Sequence, residues 1–168
     1  DTLTVYGELA TNPQISNVEN VVLDSFADAK AANLASATGV NSVTLKGAAG
    51  AASVTVNNGV AVTIENNTQA AGKDLTVNYG AADTAASLTL NKVSIATGDD
   101  LVVTGTKLAT LNIATAGNAS SIGTLNGDVA LTKVVVTGDK DLTVIDALET
   151  TVATVDASAF SGKLSLKS

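Results

Sequence analysis

From Val43 onward one short pattern recurs: two apolar residues flanking a single residue, closed on each side by turn formers. The pairs are Val43/Leu45, Val54/Val56, Val62/Ile64, Leu75/Val77, Leu88/Leu90, Val93/Ile95, Leu101/Val103, Leu111/Ile113, Val134/Val136, Leu142/Val144 and Leu164/Leu166. The residue between is often Thr or Ser, as at Thr44, Thr55, Thr63, Thr76, Thr89, Ser94, Thr143 and Ser165. Alternation with period two defines a strand with one buried face, and the β-branched hydroxyl residue takes the other face. Successive pairs lie mostly 8 to 13 residues apart, with Gly, Ala, Asn, Asp and Ser in the gaps. The chain therefore reads as all-β, built from many short strands joined at short corners.

A second repetition narrows the choice of architecture. Gly72-Lys73-Asp74-Leu75, Gly98-Asp99-Asp100-Leu101 and Gly138-Asp139-Lys140-Asp141-Leu142 are versions of one unit, a Gly-led acidic corner running straight into a strand. Their leucines are 26 and then 41 residues apart, which suits about one and about two coils of a stack whose coil takes roughly 20 to 25 residues. A parallel β-solenoid of about eight such coils, roughly 40 Å long at the interstrand spacing, is the expected fold. Its interior needs stacked aliphatic residues and few aromatics. The chain has 45% apolar residues and 2% aromatic ones over 168 residues, enough to bury a core in one domain. An antiparallel β-sandwich is the alternative, since Asn58-Gly59 and Asn126-Gly127 are hairpin signals.

The N-terminal quarter is patterned differently. Residues 1–40 are expected to hold a strand region around Val18, Val21 and Leu23, followed by a short helix over 25–37, with 41–168 forming the repeats of the same single domain. Phe26, Lys30 and Leu34 would share one helix face, Asp24 or Ser25 would start it and Gly39 would stop it. Such a helix could cover the open end of the stack.

What is missing restricts the chemistry. The net charge is −7, and there is no Arg, His, Cys, Met or Trp. Nucleophile pairs built on His or Cys, imidazole or thiolate metal sites and disulfides are excluded. An acidic chain without Arg is a poor partner for nucleic acid. The four aromatic residues, Tyr6, Phe26, Tyr79 and Phe160, are scattered, so no sugar platform accompanies paired carboxylates, and enzymatic activity is not expected. Absence of the readily oxidised Cys and Met suits a long-lived extracellular protein. No apolar run approaches the length of a membrane span. With no starting Met and no signal segment, the chain reads as an excised piece of something larger.

The segment from Val134 to Val144, with Thr137-Gly138-Asp139 and Asp141-Leu142-Thr143-Val144, continues to Val155-Asp156-Ala157-Ser158, Phe160, Gly162 and Leu164-Ser165-Leu166. It resembles the repeats of bacterial surface-layer proteins and related secreted repeat proteins of Gram-negative bacteria, and Leu108 to Ile113 is similar to a further member. The likeness covers about the last two thirds of the chain. It implies a parallel β-solenoid wall component on the bacterial cell surface, assembling with identical subunits into a lattice, often with Ca²⁺. Cell-surface polysaccharide or lipopolysaccharide would be the further partner, and an adhesin stalk or glycan-binding module the alternative role. The Gly-Gly-x-Gly-x-Asp nonapeptides of many such relatives are absent here.

Ca²⁺ takes six to eight oxygen ligands. Asp99, Asp100, Asp139 and Asp141 offer carboxylates beside glycine corners and are the candidate ligands, between coils or between molecules. The competing reading makes them solvated turn residues forming Asx turns. Asp74, Asp128, Asp146 and Asp156 are weaker candidates. The lysines stand beside turns, where they aid solubility and guard strand edges, with anionic lipopolysaccharide as the functional alternative.

Overall fold

The computed structural model describes residues 1–10, 13–48 and 50–167. Among them sixteen strands follow one another: β1 Thr2–Tyr6, β2 Asn20–Asp24, β3 Lys30–Asn33, β4 Ser42–Lys46, β5 Ala52–Thr55, β6 Ala61–Glu65, β7 Leu75–Asn78 and β8 Ala85–Asn91, then β9 Asp100–Thr104, β10 Thr110–Thr115, β11 Ser120–Ile122, β12 Thr124–Gly127, β13 Lys133–Gly138, β14 Leu142–Ala147, β15 Thr154–Asp156 and β16 Leu164–Lys167.

Every pairing between these strands is parallel. The long sheet runs β1-β2-β4-β6-β8-β10-β13-β15, a second runs β12-β9-β7-β5-β3, and a third runs β11-β14-β16. The chain thus visits the long sheet eight times and winds about seven turns of a β-solenoid, a rod of about 34 Å at the interstrand spacing. This is the expected fold, one turn shorter than expected. The antiparallel alternative is overturned by the parallel register: of its two hairpin signals, Asn126-Gly127 ends β12 in parallel register with Val102 and Val103, and Asn58-Gly59 is a corner. Gly59 adopts φ 75°, and the Asn58 side-chain oxygen accepts the Ala82 N–H at 3.0 Å.

Stacking in register builds continuous columns of core residues. Leu3, Val21, Val43, Val62, Leu88, Ile113 and Val136 form one on the long sheet. Ala32, Val54, Val77 and Val103 form another on the second sheet. Most of these side chains are completely enclosed, and the Thr and Ser residues between them are not buried. Burial of each such aliphatic side chain stabilises by about 1.5 to 3 kcal/mol.

Coil length varies for a structural reason. The step from Val43 to Val62 takes 19 residues and the step from Val62 to Leu88 takes 26. Early coils have two strand sides. From Thr68 onward a third side appears, first as the single-residue bridges Thr68 to Ser94 and Ser94 to Ser121, then as β11, β14 and β16. Leu75 and Leu101 stack one coil apart as expected, but Leu142 belongs to the third side, in register with Ser120 and Leu164.

The helix expected over 25–37 does not form. Ser25 turns a corner with φ 53°, and Lys30 to Asn33 pair in parallel with Ala52 to Thr55. Burial there has period two: Ala32 and Leu34 are enclosed while Ala31 is exposed. Lys30 points to solvent and pairs with Glu8 at 2.7 Å. The alanines favour a helix locally, but a complete parallel ladder with the neighbouring coil outweighs so weak a preference.

Candidate functional site

The Gly-led corners place the four candidate aspartates in two separate regions, one entering the second sheet and one entering the third. At the first, Asp99 turns into the protein and is 4% exposed. One of its carboxylate oxygens accepts the Gly72 N–H at 2.8 Å, while the other is buried without a hydrogen-bond partner. Asp100 donates its own N–H to Asp74 at 2.8 Å, and its carboxylate accepts the Asn126 side-chain amide at 2.8 Å. Asp146 accepts the Gly98 N–H at 3.0 Å.

At the second corner, Asp139 is exposed and pairs with Lys140 at 2.8 Å. The hydrogen bond from Lys140 holds the Asp139 carboxyl below its ordinary pKa. Asp141 accepts the Lys163 N–H at 2.9 Å.

Asp74, Asp99, Asp141 and Asp146 thus fasten one coil to another by accepting main-chain N–H groups far away in sequence. Charge-assisted bonds of this type are stronger than neutral ones. Asp83 does the same for Gly59 at 3.0 Å. This stapling role escaped the sequence reading, whose only signal for it was the position of Asp beside Gly at successive corners. Among the described residues no three His, Cys, Asp or Glu side chains are grouped as a metal site, and an intramolecular Ca²⁺ cage draws on six to eight oxygens. The bonds already made to N–H groups also occupy oxygens that such a cage would need.

One concave feature lies on the third side. A groove of about 490 Å³ is lined by Thr68, Ser94, Ser121 and Thr143, with Lys92 and Asp141. Thr68, Ser94 and Ser121 are stacked through parallel bridges, and Ser121 pairs in register with Thr143. The groove brings together Ser94 and Thr143, which the sequence reading treated as solvent-facing strand positions, the turn lysine Lys92 and the candidate Ca²⁺ ligand Asp141, with Thr68 and Ser121, which it did not single out. Their common placement depends on the third ladder, which coil-length variation hides in the sequence.

By architecture the chain is a parallel β-solenoid, closed by aliphatic columns and faced with small polar residues. Compared with protein families, with curated proteins and with solved structures, it matches none of them. No helix among the described residues is long and apolar enough to cross a membrane.

Proposed function

We propose that the chain is a structural module of a bacterial surface layer, acting outside the cell as a stiff rod that packs side by side with identical subunits. The observation that carries this reading is the unbroken eight-strand parallel ladder of the long sheet. Its outward positions include Thr4, Thr44, Thr63, Thr89 and Thr137, in register apart from Val22 and Ala114. Continuous main-chain bonding resists bending, and a flat face of short side chains lets a neighbour approach closely. Catalysis has no part in this role.

Calcium enters the proposal between molecules. The exposed Asp139 corner offers carboxylate oxygen at the rod surface, and a divalent cation shared by two rods would offset the repulsion between chains of net charge −7. A concentration series followed by light scattering and electron microscopy, in Ca²⁺ and in EDTA, tests both parts. Sheets or ordered oligomers promoted by Ca²⁺ are expected. Assembly that ignores EDTA removes calcium from the proposal, and a monomer persisting at about 1 mM, a concentration that would populate even weak contacts, removes self-assembly.

A second reading, a glycan-binding module or adhesin stalk, is favoured by the groove on the third side. Cell-surface polysaccharide or lipopolysaccharide would be its partner.

A further inference from the structure

The chain holds two Asn-Gly steps, Asn58-Gly59 and Asn126-Gly127. Such a step is chemically fragile, because glycine has no side chain to shield its nitrogen from the preceding carboxamide. In deamidation the Gly nitrogen gives its proton to solvent and bonds to the Asn side-chain carbon. The carboxamide C–N bond breaks, and its nitrogen leaves as ammonia after taking a proton from water. Water then opens the cyclic imide to aspartate or isoaspartate. Asn126-Gly127 lies within β12, in parallel register with Val102 and Val103, and the Asn126 amide donates to Asp100 at 2.8 Å. Asn58-Gly59 lies at a corner between β5 and β6, and both residues are exposed to water.

The exposed step is nevertheless gripped from both neighbouring coils. Toward the preceding coil, the Asn58 N–H donates to the Asn57 side chain at 2.8 Å, and the Asn57 amide donates to the Ala37 carbonyl at 3.4 Å. Toward the following coil, the two groups that would have to meet are held separately. The Asn58 side-chain oxygen accepts the Ala82 N–H at 3.0 Å, and the Gly59 N–H donates to the Asp83 carboxylate at 3.0 Å. Ala82 and Asp83 sit in a turn closed by the Asp83 N–H on the Gly80 carbonyl at 3.0 Å. Gly80 makes room for this clasp, since a Cβ there would collide with Asn58.

We propose that the turn Gly80–Asp83 is a guard that keeps Asn58-Gly59 from deamidating, with Asp83 as its central residue. The guard acts in two ways. Anchoring the carboxamide to Ala82 turns it away from the Gly59 nitrogen. A Gly59 nitrogen stripped of its proton would be an anion facing the Asp83 carboxylate, and like charges so close repel. The composition points the same way, since the chain also lacks Cys and Met, the side chains most open to oxidation. A wall component and an adhesin stalk would gain alike from such durability.

The test is peptide mapping by mass spectrometry of the whole chain after incubation in mildly alkaline buffer, reading the mass gain and isoaspartate at residues 58 and 126. Asn58 in the folded chain is expected to react about tenfold or more slowly than in the urea-unfolded chain, and Asp83→Ala should speed it about five- to tenfold, the kinetic equivalent of a lost hydrogen bond. Asp83→Asn, which keeps an acceptor oxygen without the charge, should fall between the two. Residue 126 should react at the parent rate in both variants, and melting curves check that the fold is kept. Equal rates at Asn58 in the folded and unfolded parent overturn the guard. So does an unchanged rate in Asp83→Ala, while a slower one shows that the carboxylate assists the reaction. Acceleration at residues 58 and 126 alike means general loosening of the rod and overturns the assignment to Asp83.

Discussion

Tyr79 brings a phenol into a stack of aliphatic side chains, where it is 5% exposed. Its O–H donates to the Ser87 carbonyl at 2.8 Å. Burial, with the charge of Asp83 adding to it, pushes the phenol well above its ordinary pKa. The folded chain therefore keeps the proton at pH values where the unfolded chain gives it up. The resulting stabilisation is fully present below about pH 10, the unfolded value, and is lost as pH rises toward the higher folded value. Equilibrium unfolding in urea at pH 8 to 11.5 should show stability falling above pH 10, and phenolate absorbance from Tyr79 should appear together with unfolding. Tyr79→Phe should cost about 1 kcal/mol at pH 8 and shrink that alkaline decline; an unchanged decline would show that another group drives it. In the sequence Tyr79 is one of four scattered aromatic residues. Its hydrogen bond was not legible, because Ser87 looks like any other strand residue until the following coil is laid in place. Asp99 illustrates the same limit. An acidic turn residue is visible in the sequence, but its N–H partner belongs to Gly72, 27 residues earlier.

Corners decide whether consecutive strands can stack. After each of the first six strands of the long sheet comes a residue with positive φ: Gly7, Ser25, Gly47, Asn66, Lys92 and Gly117, with φ between 52° and 82°. In four successive coils the corner N–H donates to the carbonyl that ends the next strand, Gly7 to Asp24, Ser25 to Lys46, Gly47 to Glu65 and Asn66 to Asn91. Glycine takes this conformation freely, whereas a side chain costs roughly 1 to 2 kcal/mol. Ser25→Gly is expected to raise stability by about 0.5 to 1 kcal/mol, part of that relief being offset by the greater freedom of glycine in the unfolded chain. Gly47→Ala should lower it by about 1 to 2 kcal/mol. Chemical denaturation of both variants measures the pair, and changes of the same sign would refute the corner argument. Strands such as β4, β6, β7, β9 and β10 were plain in the sequence because each carries an alternating apolar pair. The corner column was not, because it is occupied by four residue types. The expected helix over 25–37 failed at the same place: alanine-rich composition concealed a corner at Ser25 and a strand at Lys30–Asn33.

At the scale of the whole rod, each coil touches only its neighbours, so stability is a chain of local interfaces rather than one shared core. The interfaces differ in quality. In the middle, Leu88, Leu90, Leu101, Leu111 and Ile113 are at most 1% exposed. Toward the C-terminal end, Leu148, Val152, Val155, Phe160 and Leu164 are only partly buried, and Leu166 is 38% exposed. Less apolar area leaves water there, so less free energy opposes local opening. Amide hydrogen exchange should therefore be slowest in β8, β9 and β10 and fastest in β15 and β16, with intermediate rates on passing through β13 and β14. Leu101→Ala, which opens a cavity in the best-packed region, should cost about 2 to 5 kcal/mol. Because coupling is between neighbours, that loss should speed exchange in the coils around β9 far more than in β1 and β2, which lie four and three strands from β8 in the long sheet. Equal acceleration at every amide would mean that the rod opens as one cooperative unit, and the description of it as a series of coil interfaces would fail.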